Sequence, residues 1–157
     1  MNFWSKTYRI EQEQWIPKGR KDVFKFFSDA FNLQALTPSF LNFRILTAPP
    51  IDIQEGTLID YKISLFGIPM KWKTRIERFE TDTMFVDQQI RGPYSLWHHT
   101  HTFEDSDDGT LMRDIVDYRL PFGPLGLLAH TLFVRRTLKR IFQYRYDSLE
   151  RLMGEIA

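Results

Sequence analysis

The chain has 157 residues, no cysteine, 21 basic and 20 acidic side chains, and aromatic residues at 15%, with 14 Phe among them. That length predicts one domain over residues 1–157, burying roughly two thirds of its unfolded surface. The formal charge of +1 creates no global field for nucleic acid or anionic lipid, and the lack of Cys excludes disulfides, thiolate catalysis and thiolate metal sites. Met1–Lys6 lacks the apolar run of a signal peptide. The longest uncharged stretch, Leu120–Val134, is too short and too interrupted by Pro and Gly to span a bilayer. A cytoplasmic protein without membrane insertion is expected.

A first strand runs from Thr7 to Ile16, with Tyr8, Ile10, Gln12, Gln14 and Ile16 on one face, and Pro17 ends it. From Lys21, Val23, Phe24, Phe26, Phe27, Ala30 and Phe31 follow helical spacing; Asn32 opens a second short helical piece that Thr37-Pro38 closes. Leu41–Thr47 reads as a second strand. Thr57–Leu65 and Met70–Phe79 alternate on either side of a Phe66-Gly67-Ile68-Pro69 turn, with Ile59, Tyr61, Ile63, Met70, Trp72, Thr74 and Ile76 inward. Met84–Ile90 leaves two faces open, because Phe85, Asp87 and Gln89 compete with Met84, Val86 and Ile90. Strands Ser95–Glu104 and Thr110–Leu120 follow, joined through Asp105–Gly109. Pro124 then opens a long helix to about Met153, whose apolar stripe is Leu128, Leu132, Leu138, Ile141, Phe142, Leu149 and Leu152. The order predicts an α+β layer structure, a curved antiparallel sheet of six to seven strands wrapped on a long C-terminal helix, with two short helices after strand 1.

The strand from Ser95 carries the chemistry. Its period places Trp97, His99, His101 and Phe103 on one face, so two imidazoles stand between two aromatic rings. Pairing Ile90 with Leu96 sets Asp87 opposite His99. Pairing Phe103 with Thr110 sets Asp114 beside His99, Met112 near His101 and Val116 near Trp97. A slip of one residue would turn either Asp outward. Asp87, His99 and Asp114 then form a row across three strands. Such a row can close its own hydrogen bonds, hold a ligand, or move protons. His99 and His101 with Asp114 or Asp87 also suit a metal, but no second cluster supports one and no cofactor is expected. His98 faces outward, and His130 lies at the surface or near a pocket mouth. Arg145 reaches an inner Asp, a ligand carboxylate or water. Arg135, Arg136, Lys139 and Arg140 read as a solvated helix face.

Several pieces occur in a telling order along nearly the whole chain: Gln14-Trp15-Ile16-Pro17, Val23-Phe24-x-Phe26-Phe27, Leu36-Thr37-Pro38 with Phe43–Thr47, and Gly92-Pro93. Trp97-x-His99-x-His101-x-Phe103 and Tyr118-x-Leu120-Pro121-x-Gly123-Pro124-Leu125-Gly126 complete them. Together they resemble a START-like, helix-grip protein of the SRPBCC superfamily, in its polyketide cyclase/dehydrase-like or ligand-binding branch. The resemblance implies a deep, mostly apolar pocket between sheet and last helix, without an obligatory cofactor or a shared catalytic triad. The residues alone fit a filled core equally well; the resemblance favours a cavity.

The expected function is binding of a hydrophobic or aromatic small molecule, such as a lipid, isoprenoid or polyketide. Tyr61, Ile63, Trp72, Thr74, Phe85, Trp97, His99, His101, Val116, Tyr118, Leu138 and Phe142 are the expected lining. The rival is an aromatase/cyclase or dehydratase in which His99 moves protons with Asp114 or Asp87. A third class is an interaction module without a ligand. No nucleic-acid partner is expected, and the chain is read as a monomer or weak homodimer.

Overall fold

The computed structural model describes residues 5–154; Met1–Trp4, part of the stretch read for a leader, and residues 155–157 lie outside them. Strand β1 (Thr7–Ile16) is followed by helix α1 (Arg20–Phe27) and two 3-10 helices, Ala30–Leu36 and Ser39–Leu41. Next come β2 (Arg44–Ile45), β3 (Leu58–Leu65), β4 (Ile68–Glu80), β5 (Met84–Arg91), β6 (Leu96–Ser106) and β7 (Gly109–Arg119). The chain ends in a helix of 31 residues built from α2 (Gly123–Ala129), a π-helical turn (His130–Val134) and α3 (Arg135–Met153). All seven strands form one antiparallel sheet in the order β1-β7-β6-β5-β4-β3-β2. This is the α+β arrangement expected from the strand and helix patterning.

Two details of curvature position the site. The β4–β5 ladder shifts register at Lys73/Thr74 and at Ile76/Arg78, and such irregularities bend a strand and increase its twist. On the opposite side, the inward glutamines of β1 pin the terminal helix. Gln12 Nε2 donates to the Phe142 carbonyl at 3.4 Å and Gln14 Nε2 to the Tyr146 carbonyl at 3.0 Å. Trp97, Val116, Tyr118, Leu138 and Phe142 fill the space beneath that attachment, with Tyr8 and Ile10 against them. A second cluster, built on Val23, Phe24, Phe27, Phe103, Met112 and Leu149, seats α1 on the sheet. The helix is thus held down over β1 and β7, and room remains over β3–β6.

Three expectations need correction. The second strand is only Arg44–Ile45, because Pro38 starts a 3-10 turn and Asn42 adopts a left-handed conformation at φ 45°, which a strand cannot contain. The β6–β7 hairpin is tighter than expected. Asp107 and Asp108 both take positive φ and close a two-residue turn, so Ser106 pairs with Gly109. His101 therefore stands opposite Asp114, His99 opposite Val116, Phe103 opposite Met112 and Trp97 opposite Tyr118. That is a displacement of two residues, which preserves the faces. Asp87 does pair with His99.

The third correction concerns the terminal helix. Leu138, Phe142 and Leu149 are buried, but Leu128, Leu132 and Leu152 are about half exposed. A π-helical turn carries an extra residue, so the stripe drawn at the ordinary α-helical period leaves the inner face at Leu128 and Leu132, while at the far end of α3 Met153 rather than Leu152 is buried. Gly126 and His130 turn inward in place of Leu128 and Leu132.

Candidate functional site

Between β3–β6, the 3-10 segments and α3 lies a cavity of about 200 Å³. Its walls are mostly apolar. Tyr61 and Ile63 come from β3, Trp72 and Thr74 from β4, Phe85 from β5, Trp97 from β6, and Leu138 and Phe142 from α3. Trp72 and Trp97 meet edge to face at 5.4 Å, and Trp72 Nε1 donates to Thr74 Oγ1 at 3.0 Å. The indole N–H is thereby satisfied inside an apolar wall.

One part of the lining is charged. Asp87, His99, His101 and Arg145 border the cavity, and Asp114 sits behind them, only 2% exposed. Asp114 is the hub. His99 Nε2 lies 2.8 Å from its Oδ1 and Arg145 Nε lies 3.0 Å from its Oδ2. His101 Nε2 lies 2.7 Å from Asp87 Oδ2. His101 Nδ1 comes within 2.9 Å of Asp114 Oδ1, but without hydrogen-bond alignment, and is left unsatisfied. The rings of His99 and His101 are 3.8 Å apart, and Phe85 stacks on His101 at 4.2 Å. The Arg145 guanidinium lies over the Phe27 ring at 5.1 Å, which gives the cation an aromatic face as well as a carboxylate.

Charge balance explains the titration of this group. Burial raises the Asp114 carboxyl, but Arg145, the nearby His101 ring and the hydrogen bond from His99 outweigh it and hold the group well below the usual carboxylate range. Asp87 is opposed by burial too and is lowered by His99 and His101. Burial, reinforced by the neighbouring His101, lowers His99. Burial also opposes the charged form of His101, yet the proximity of the Asp114 carboxylate and its hydrogen bond to Asp87 raise it. The surroundings thus favour the charged forms of both carboxylates and of His101 and disfavour that of His99, so the neutral imidazole is the favoured form of His99. Since a carboxylate only accepts, His99 donates from Nε2 to Asp114, and its Nδ1 keeps a lone pair. The nearest Asp87 oxygen is 3.8 Å from that nitrogen, beyond hydrogen-bonding distance.

Of the expected lining, Tyr61, Ile63, Trp72, Thr74, Phe85, Trp97, His99, His101, Leu138 and Phe142 border the cavity. Val116 and Tyr118 do not; they are buried in the packing beneath the pinned helix. Tyr118 instead meets His130, with 2.7 Å between its hydroxyl and Nε2, and burial pushes the phenol up to about 12. His130 is buried rather than at the surface, stacked 3.6 Å from Tyr8, and burial lowers it. His98 is on the outer face, 3.3 Å from Glu77. Asp87, one of the two carboxylates considered for such a set, brings an oxygen within 4.8 Å of nitrogens of His99 and His101; Asp114, the other, is taken up by Arg145. The sequence reading missed the wall formed by Leu36, Leu41, Phe43 and Ile53. Their only sequence signal is scattered apolar residues in irregular chain, which no period identifies.

A curved antiparallel sheet gripping a long terminal helix, with a mostly apolar hollow between them, defines a helix-grip protein. The chain belongs to the polyketide cyclase / dehydrase and lipid transport family, whose pattern it matches over residues 16–143. Protein CV1439 from Chromobacterium violaceum is similar over 94% of this chain and 98% of its own, with TM-score 0.71 and 14% identity. A norcoclaurine synthase point mutant from Thalictrum flavum, in complex with a transition-state analogue, is similar over 94% and 96%, with TM-score 0.64 and 16% identity. These two likenesses establish the fold. A nucleoside-diphosphate sugar epimerase from Corynebacterium glutamicum shares 26% identity at TM-score 0.63; the match covers 89% of this chain and 28% of that one. No curated protein matches the sequence.

Proposed function

We propose that the protein binds a hydrophobic or aromatic small molecule, of lipid, isoprenoid or polyketide-like chemistry, in the cavity under α3. The observation that carries this reading is a hollow with apolar walls and one charged end, at which His99 Nδ1 is free to accept a hydrogen bond. Covering about 200 Å² of apolar ligand surface contributes on the order of 5 kcal/mol. A hydroxyl or N–H on the ligand would donate to His99, and Tyr61, Thr74 and Arg145 would help to orient it. Tryptophan fluorescence tests this, because Trp72 and Trp97 are both in the wall. Titration with 2-naphthol, a bicyclic phenol, is expected to quench them saturably, and Trp97→Leu to weaken binding about tenfold or more. Quenching that never saturates, or saturation unchanged in Trp97→Leu, would refute the reading.

A second reading has its own observation. The surroundings drive His99 and His101 in opposite directions only 3.8 Å apart, the pattern by which one imidazole serves as base beside another as acid. In a cyclisation or dehydration, His99 Nδ1 would take a proton from the substrate. Both readings predict a role for His99 and are separated by His99→Gln. A binder loses affinity for a donor-bearing ligand. An enzyme retains binding and loses turnover.

A further inference from the structure

The half of the terminal helix that leaves the core carries a surface the cavity does not explain. Leu125, Leu128, Leu132 and Phe133 are each more than half exposed. The β3–β4 hairpin tip reaches the same place, where the ring of Phe66 meets that of Phe133 edge to face at 5.8 Å. Two aromatic residues are held outward at a conformational cost. Phe66, 67% exposed, has φ 52°, and Phe122, 81% exposed and at the start of α2, has φ 70°. Bulky side chains disfavour this left-handed region, and glycine would occupy it without strain. Neither ring gains enough burial within the chain to offset that. Grouped apolar exposure of this kind marks an interaction surface.

Charge indicates what covers it. Between Asp117 and Asp147 the chain has no acidic residue but carries, besides the buried Arg145, the cations Arg119, Arg135, Arg136, Lys139 and Arg140. Between Asp60 and Glu77 there is again no acid, and Lys62, Lys71, Lys73 and Arg75 flank the hairpin tip. Lys62 and Lys71 are cross-strand neighbours, a repulsive pair unless an anion is near. Among the described residues Arg135, Arg136, Lys139, Lys62 and Lys71 form no ion pair. The formal charge of +1 for the whole chain therefore conceals a local excess of cations around the apolar ridge. No helix among the described residues is long and apolar enough to cross a membrane. Apolar side chains rimmed by unpaired Arg and Lys match instead the boundary between acyl chains and anionic headgroups.

We infer that the ridge formed by Phe66, Phe122, Leu125, Leu128, Leu132 and Phe133 docks the protein peripherally on an anionic lipid bilayer. Its apolar side chains enter the headgroup boundary, while Arg135, Arg136 and Lys139 meet the phosphates. This docking does not depend on what occupies the cavity.

Vesicle flotation with the full chain tests the inference, using phosphatidylcholine alone and phosphatidylcholine with about one third phosphatidylglycerol. The wild type is expected to float with the anionic vesicles and at least about tenfold less with neutral ones or at high salt. Leu128→Glu and Phe133→Ser each weaken flotation roughly tenfold or more. Arg135→Glu with Arg136→Glu weakens it on anionic vesicles only. Leu128 and Phe133 carry little of the fold, so the variants retain wild-type thermal unfolding. No flotation with either vesicle, or flotation unchanged by Leu128→Glu and Phe133→Ser, overturns the inference. A dimer seen by light scattering and abolished by Leu128→Glu, without flotation, assigns the ridge to a second copy of the chain and overturns it too.

Discussion

Replacing Asp114 with Asn tests the physics of the charged end most sharply. The substitution keeps the shape of the side chain and removes its charge, leaving Arg145 buried at 6% exposure with its carboxylate partner gone. Breaking a buried ion pair from one side costs about 3–5 kcal/mol. For a chain of this size that corresponds to a fall in Tm of roughly 6–20 °C. Arg145→Met behaves differently. It removes one positive charge, and His99 can restore it by taking a proton, so the deficit of this variant against wild type should narrow as pH falls through about 6.5. Combining Asp114→Asn with Arg145→Met removes both ions and should cost clearly less than the two single changes added together. Urea unfolding of the four proteins at two pH values measures all of this. A cost below about 1 kcal/mol for Asp114→Asn, or simple additivity in the cycle, would refute the idea that Asp114 is the hub.

Wild-type stability should also depend on pH with a definite sign. Asp87 and Asp114 are lowered, so their contribution is complete above about 4 and is lost as pH falls through their folded values. His99 is lowered as well and opposes folding once pH drops below about 6.5, whereas His101 is raised and loses its contribution as pH climbs above that value. Urea midpoints across pH should therefore peak near neutrality, and His99→Gln should remove the upper part of the acid limb; a limb unchanged in that variant contradicts the assignment. Tyr118→Phe should cost about 1 kcal/mol through the lost contact with His130 and leave 2-naphthol binding unaltered, since neither residue borders the cavity. Gly126→Ala should destabilise by roughly 2 kcal/mol or more, because the added methyl meets the Pro121 carbonyl oxygen; a neutral melting curve would contradict that packing.

The legible parts of this chain were those with a period. Alternation in Thr7–Ile16, Ser95–Glu104 and Thr110–Leu120 identified the strands and the inward imidazoles, because every second side chain must share a face. The hairpin error left those faces intact since it was a displacement of two; Asp107-Asp108 gave a turn, but not that both would turn left-handed. The helical stripe was readable from Leu138 to Leu149, missed at Leu152, where Met153 is buried instead, and wrong before Leu138. A single π-helical turn is too short to show its own repeat in a sequence and shifts the phase of the residues across it, so Leu128 and Leu132 look like core residues in the sequence. The Arg145–Asp114 pair was one of several options until the fold brought residues 31 apart in sequence to 3.0 Å. The wall from Leu36 to Ile53 was invisible for the opposite reason, being built from irregular chain whose side chains converge only in three dimensions.

The central claim is that the cavity under α3 receives a small apolar guest. Native mass spectrometry of the freshly purified protein, supplied with 2-naphthol, measures occupancy directly. One bound molecule per chain is predicted, with occupancy reduced in both Trp97→Leu and His99→Gln. A bare mass at every concentration, or adducts that accumulate without limit and ignore both substitutions, would contradict it.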